Sequence, residues 1–503
     1  MTQLKRNIIS NYAGNAWTAL MSLAFVPLYI HFLGIESYGL IGFFATLLSV
    51  FALLDLGLST TLNRELAKLS AKSGNNQEMR NLVHTLGIIY WAMSGIIIIA
   101  IIILSGYISR SWVKAECLSH ATIQYAVILM GITIGLQFPV SFYSGGLMGL
   151  QRQVLLNVIN IFMATLRGIG SILVLWVVSP TIMAFFCWQI FTSGIQATWL
   201  LVSLWRSMPA SNEKADFKMS ILFRIWRFAA GMFGISTLAT LLTQTDKIIL
   251  SRMLPLEMFG YYSLSGMVAM SLYRLIGPIF TGVYPRMTQL VTLKDTIALK
   301  DLYHSSCQVM SVMILPAAMV LIFFSKEILL LWTQNPTTAN QTHLLVSLLV
   351  TGTALNGLMN LPYALQLAHG WTNLAFYINL ISVIVLVPLI LLMTKYYGAV
   401  GAASVWVILN SGYVLIGIQL MHRRLLKHEK WRWYRNDVGI PMLCAFLIAG
   451  VGRILMEQSI SKPAMLIYIT IISTLTLCTT AWITPTTKNW LIRIFSKKIN
   501  YKV

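Results

Sequence analysis

Four cations, Arg167, Lys247, Arg274 and Arg453, and two aspartates, Asp55 and Asp246, stand inside otherwise apolar runs of this chain. A charge near the middle of a bilayer costs ~2.5–3.5 kcal/mol on insertion scales, so such residues normally face a bundle interior or a wet cavity. Guanidinium and ammonium groups held there match phosphate oxygens; a carboxylate beside them is a counter-ion or a proton-binding group. Helical phase adds neutral partners. Asn157, Asn160, Arg167 and Ser171 share one face of a helix, as do Ser236, Thr240, Thr243 and Lys247 with Gln244 beside them, and Ser271, Arg274, Pro278 and Thr281. Asp55 with Ser59, Gln137 with Ser141 and Ser144, and Thr353 with Asn356, Asn360 and Tyr363 extend the pattern to six helices. Arg167, Arg274, Lys247, Asn160, Thr240 and Gln244 are therefore the candidate substrate-binding residues, and Asp55 and Asp246 the candidate ion-coupling groups. The bland reading stands beside this one. Ser and Thr stripes also hold membrane helices together, and Lys247 and Arg453 lie close enough to helix ends to snorkel. Arg167 and Arg274 are nearer mid-helix.

The elements that position these residues follow from composition. Of 503 residues 57% are hydrophobic and only 10% charged, against about 25% charged in soluble domains, which predicts a polytopic membrane protein. Apolar runs of about 20 residues centre on Leu20, Leu48, Ile97, Ile134, Gly168, Ala197, Thr240, Ala269, Leu315, Gly352, Val383, Ile408, Ala449 and Ser473, the run at Leu315 being interrupted by Pro316. The expected fold is all-α, with about 14 transmembrane helices in two pseudo-symmetric six-helix lobes plus a C-terminal pair. The expected boundaries are an N-lobe at 1–205, a cytoplasmic linker at 206–227, a C-lobe at 228–421, a basic cytoplasmic loop at 422–437, the last two helices at 438–484 and a basic tail at 485–503. An internal echo supports the two lobes: Leu33-Gly34-Ile35-Glu36-Ser37-Tyr38-Gly39-Leu40 follows the first helix, and Leu254-Pro255-Leu256-Glu257-Met258-Phe259-Gly260-Tyr261 follows the seventh. Six helices per lobe makes the lobes parallel repeats, with a transported molecule in the cleft between them.

The net charge of +21 is an orientation signal. Alternate loops carry 26 of the 36 Lys and Arg residues and the opposite loops six, the other four lying within apolar runs; this split puts both termini in the cytoplasm and leaves no nucleic-acid signature. The five cysteines and eight histidines show no CxxC, HExxH or other metal spacing. There is no P-loop, and no outer loop exceeds roughly twenty residues, so neither a built-in ATPase nor an extracytoplasmic catalytic domain is expected. The sequence predicts no cofactor and no metal. Lys5-Arg6 before the first apolar run mimics a signal-peptide start, but the run is too long and reads as a retained helix.

An interior more cationic than anionic predicts an anionic passenger. Arg serves phosphate oxygens, and Asn, Gln, Ser and Thr serve sugar hydroxyls; a lipid-linked sugar fits, since its tail can remain in the bilayer. Asn15, Pro27, the stretch Leu33 to Leu40, Asp55-Leu56-Gly57-Leu58-Ser59, Arg64-Glu65, Thr245-Asp246-Lys247, Phe259-Gly260-Tyr261 and Gly398-Ala399-Val400-Gly401-Ala402-Ala403 together resemble the Wzx-type O-antigen flippases, the polysaccharide transporter branch of the MOP superfamily and cousins of the MATE exporters. That resemblance implies a flippase, and not an enzyme, that moves undecaprenyl-pyrophosphate-linked oligosaccharide from the cytoplasmic to the periplasmic leaflet of the bacterial inner membrane. It also implies alternating access coupled to an ion, H+ or Na+, and a polysaccharide polymerase and chain-length regulator as possible partners. Two alternatives remain open: a MATE-like exporter of cationic small molecules, which would favour an acidic cavity, and a membrane enzyme of the O-antigen polymerase or ligase type, which would need acid and base residues clustered in an outer loop.

Overall fold

The computed structural model describes residues 3–70, 74–211, 213–371, 373–457, 460–490 and 492, without side chains for residues 3–9 and for some of those between 224 and 239. The side chains of Ser236, Lys5 and Arg6, and most of the basic tail, thus lie outside the described residues. Among the described residues the chain is helical, with no β-strand and one isolated bridge between Lys114 and Pro255. Apolar sequence must fold this way in lipid, because each backbone N–H and C=O has to find its partner inside the segment. Eleven of these helices are long and apolar enough to cross a membrane, and the chain is a multi-pass membrane protein. The other expected runs are also helical. Gln3–Ala24 and Met219–Met253 are helices richer in polar residues, and the runs at Val383 and Ile408 lie in one stretch, Asn373–Gly412, that turns at Gly398.

Two compact units divide the chain, Met1–Gly260 and Tyr261–Val503. In the first, the helix His120–Gly149 packs against Leu58–Ser70, Asn76–Tyr107 and Ile182–Ser207. Its small residues allow this: a Cβ on Gly145 would lie 2.6 Å from Ser59 O, and one on Gly149 2.5 Å from Asn63 O, the close approach that replaces a hydrophobic driving force between membrane helices. Gly34, at φ 77° and ψ 164°, turns the chain sharply inside Val26–Phe51; the left-handed region is open to glycine at no steric cost. Most of the expected linker is not a free tether. Residues 208–211 and 213–218 run without helix along the start of Asn76–Tyr107, where Asn81 Oδ1 accepts from Asp216 N at 2.9 Å and Thr85 Oγ1 from Lys218 N at 3.0 Å, and helix resumes at Met219.

In the second unit the helix Thr296–Phe323 runs through Pro316 without interruption and packs against Pro336–Leu358, Ile440–Ile454 and Lys462–Ile483. Its first turns carry a buried polar network. His304 bonds Asp437 through Nδ1, and its Nε2 lies 3.2 Å from Glu429 Oε2; Gln308 Nε2 donates to the other Asp437 oxygen at 3.0 Å, and Gln308 Oε1 accepts from Thr486 N at 3.1 Å. His304 and Asp437 are buried. The basic segment 422–437 therefore contributes two carboxylates that tie it to Thr296–Phe323, and Gln308 of that helix also holds Thr486, just past the last spanning helix. Burial opposes ionisation of Glu429, but the Lys300 ammonium at 3.0 Å, with His304 and Arg432 nearby, holds its carboxyl below the usual range.

Removing one partner of a buried hydrogen bond costs about 1–3 kcal/mol, because the other is left unsatisfied. Asp437→Ala should therefore lower the thermal unfolding midpoint of the purified protein in detergent far more than Lys300→Ala, whose pair with Glu429 lies nearer solvent. Equal shifts would show that the network does not anchor the helix ends.

Candidate functional site

Arg167 stands on the helix Gln153–Leu173 and is half-buried against Ile182–Ser207. Its Nη2 donates to Gln196 Oε1 at 3.0 Å and, more weakly, to Ser193 Oγ at 3.5 Å. Gln196 Nε2 reaches Asn160 Oδ1 at 3.5 Å, Gln137 Nε2 donates to Ser193 Oγ at 3.1 Å, and Ser171, one turn on, receives Gln189 Nε2 at 3.2 Å. The Tyr29 phenol lies beside Ser171 and Arg167. The stripe on Gln153–Leu173 thus meets a second stripe of carboxamides and hydroxyls, Gln189, Ser193 and Gln196, on the next helix. Every partner is neutral. No carboxylate pairs with Arg167 among the described residues, and its buried Nε has no acceptor. A guanidinium can form bidentate bonds to a phosphate or carboxylate, and here much of that capacity is unspent.

The other expected residues sit differently. Lys247 Nζ lies 3.3 Å from Asp246 Oδ1 and donates to Thr243 O at 2.8 Å, so this cation is neutralised by its chain neighbour. Thr240 and Gln244 are half-buried on the same helix, and no bond joins either to Arg167. Arg274, in the first turn of Tyr273–Thr292 after a break at 271–272, is exposed, with no hydrogen-bond partner for its guanidinium among the described residues. Asp55 accepts from Ser59 Oγ at 2.9 Å and from the Tyr90 hydroxyl. The chain turns there through Leu56 and Gly57, both at positive φ, before the helix Leu58–Ser70 begins. Arg453 does not simply snorkel: it pairs with Glu327 at 2.7 Å. In the second unit, the helix break at Met359, between Pro336–Leu358 and Asn360–Ala368, opens onto a cavity of about 180 Å³ lined by Asn356, Asn360, Tyr363, Gln366, Asn379 and Tyr413 with a few apolar residues.

The two echoed motifs meet within the first unit. Gly39 lies so close to Leu256 that a Cβ would overlap its carbonyl oxygen, and a Cβ on Gly260 would stand 2.5 Å from Ile35 O. The segment 113–119 binds both motifs: Glu36 accepts from Glu116 N at 2.6 Å and Cys117 N at 3.0 Å, and Leu256 N donates to Lys114 O at 2.7 Å. The motif glycines therefore serve turning and close packing.

The family model described as "Polysaccharide biosynthesis protein" matches residues 4–291, more than half of the chain. The chain belongs to that family. The MatE model matches residues 229–392 of this family member. Its similar relatives include a Shigella flexneri protein named "Putative O-antigen transporter", 24% identical over 409 residues, which cover 80% of this chain and 93% of that one. Among solved structures, the lipid II flippase MurJ in an inward closed conformation superposes with a TM-score of 0.69 at 15% identity, covering 95% of this chain and 98% of that one. An inward-facing multidrug resistance MATE transporter of the MOP superfamily gives 0.65 at 13% identity, covering 81% and 94%. This member of the polysaccharide biosynthesis family has an all-α fold like that of MurJ and the MATE transporter.

Sequence periodicity placed Asn160 and Arg167 on one face but missed Gln189, Ser193 and Gln196, whose 189, 193, 196 spacing on the following helix was the available signal. It found Asn356, Asn360 and Tyr363 as a stripe without making them site residues, and missed Gln366, Asn379 and Tyr413. These come from three segments and share no single helical face.

The seam at 113–119 yields a measurement. Glu36, hydrogen-bonded to Cys117, pushes the exposed thiol's pKa up, and the thiolate is the reactive form. Glu36→Gln should therefore let Cys117 react faster with a maleimide at neutral pH; an unchanged alkylation rate would place the carboxylate elsewhere.

Proposed function

We propose that this protein is a flippase for a lipid-linked saccharide with an anionic head, and that Arg167 is the group that receives the anion. The observation that carries this reading is a guanidinium in a membrane-spanning bundle with neutral partners only and a buried, unpaired Nε. A structural arginine in such a place normally has a carboxylate, because a buried charge without one is costly. An anionic guest would supply what the fold leaves out. The coarse function, translocation of polysaccharide precursors by a transporter and not catalysis, is supported by the family match, by the relative named for O-antigen transport and by a fold like that of a lipid II flippase.

The finer statement is that the head is an undecaprenyl-pyrophosphate-linked oligosaccharide, flipped by alternating access in the bacterial inner membrane with both termini cytoplasmic. Phosphate cannot cross hydrocarbon unaided, since an isolated ion costs on the order of tens of kcal/mol to desolvate. Fixed donors replace its water shell. Coupling to H+ or Na+ is part of this proposal, with Asp55 and Asp246 as the carboxylates that would exchange. Handover to a polymerase and a chain-length regulator would follow translocation. Drug export is the second reading, and the absence of a carboxylate around Arg167 among the described residues weighs against it.

Arg167→Ala should abolish complementation of a flippase-null strain at normal protein level, Arg167→Lys should retain a fraction, and Arg274→Ala should weaken it. Undecaprenyl-linked repeat units should then accumulate in the cytoplasmic leaflet. Full complementation by Arg167→Ala would overturn the anion assignment, and periplasmic accumulation would favour a polymerase.

A further inference from the structure

We infer that the cavity at the Met359 helix break is a recognition subsite for one uncharged, hydroxyl-rich sugar ring. The inference rests on the flippase reading for its substrate class, but its residues belong to the second unit and include none of the charged candidates.

The cavity's chemistry is unusual for a membrane bundle. Its lining holds four carboxamides and two phenols, and no Lys, Arg, Asp, Glu or His. Part of this set is locked. Asn356 donates to Asn410 Oδ1 at 2.8 Å and accepts from the Tyr273 hydroxyl at 2.7 Å, and Asn360 Nδ2 donates to Asn356 O at 3.1 Å, a carbonyl at the helix end. Tyr413 donates to Asn379 Oδ1 at 3.3 Å. The rest is unspent: Gln366 is 5% exposed and its buried Oε1 has no partner, while Asn379 Nδ2, Asn360 Oδ1 and the Tyr363 hydroxyl make no hydrogen bond among the described residues. A buried unpaired acceptor and further unspent polar groups thus belong to residues around one space held in shape by bonds already made.

A sugar hydroxyl both donates and accepts, as does an acetamido group, and each pairs with a carboxamide or a phenol. A phosphate or a uronate carboxylate would enter without a cation, and burying unpaired charge is far more costly than burying a paired hydroxyl. The Tyr363 ring, 41% exposed, and the Tyr413 ring present flat apolar surface of the kind that covers the C–H face of a pyranose.

Saturation-transfer NMR on the full chain in lipid nanodiscs tests this, with methyl N-acetyl-β-glucosaminide and methyl β-glucuronide as matched neutral and charged probes. The expected result is transfer to the neutral pyranoside at least threefold above the glucuronide, reduced at least threefold in both Gln366→Leu and Asn379→Leu. Tyr363→Phe removes one hydroxyl from a partly exposed ring; it should weaken the signal without disturbing the fold. Equal transfer to both probes, or transfer unchanged in all three variants, would overturn the subsite. The two readings separate cleanly. A protein that complements a flippase-null strain yet gives no Gln366-dependent transfer loses the subsite and keeps the flippase; one that shows the transfer but fails to complement does the reverse.

Discussion

The central constraint is the charge of Arg167 in a place where no group of opposite sign meets it among the described residues. A guanidinium is retained inside a helical bundle only if its field and its donors are answered, and here Gln196 and Ser193 answer part of them. The carboxamides of the next helix are better suited to aim the group than to neutralise it. Gln196 is shared with Asn160, and Ser193 receives Gln137, so the guanidinium is held from several directions. Such a group is preorganised, and preorganised donors lose little entropy when a guest arrives. Two of the other three cations in apolar runs are neutralised internally, Lys247 by Asp246 and Arg453 by Glu327, while Arg274 is exposed. Arg167 stands apart from both.

Much of this architecture is legible in the sequence because membranes simplify the code. Apolar runs of spanning length located the helices, including the one through Pro316, where neighbouring helices and local adjustment absorb the lost backbone bond. Gly34 and Gly398 marked real turns, since both adopt positive φ. The network of His304, Glu429, Gln308, Asp437 and Thr486 was not legible. Its bonded partners lie up to 178 residues apart, and 422–437 reads by composition as a basic surface loop although it carries two of the carboxylates that pin the second unit together. Likewise, the cation at Lys247 drew attention by its type, but only coordinates show it paired with its own neighbour.

Neutral polar residues carry more of the functional argument than charged ones. In sequence they resemble packing glue, and several are: Thr and Ser hydroxyls here mostly return to the carbonyl four residues back, as at Thr133, Thr165 and Thr476. Carboxamides differ because they have two ends to satisfy. Where both ends are occupied, as at Asn356, they brace the backbone; where one end is left over, as at Gln366, they mark a place for something else. That distinction depends on partners from other segments and cannot be read along a single helix.

An arginine that receives an anion must discriminate by charge. The direct measurement compares binding of undecaprenyl pyrophosphate and neutral undecaprenol to the purified protein in nanodiscs, for the wild type and for Arg167→Gln. A hydrogen bond to a charged group is worth about 1.5–3 kcal/mol, so the wild type should prefer the pyrophosphate by roughly ten- to a hundredfold and the variant should lose that preference. Equal preference in both proteins would contradict the central claim.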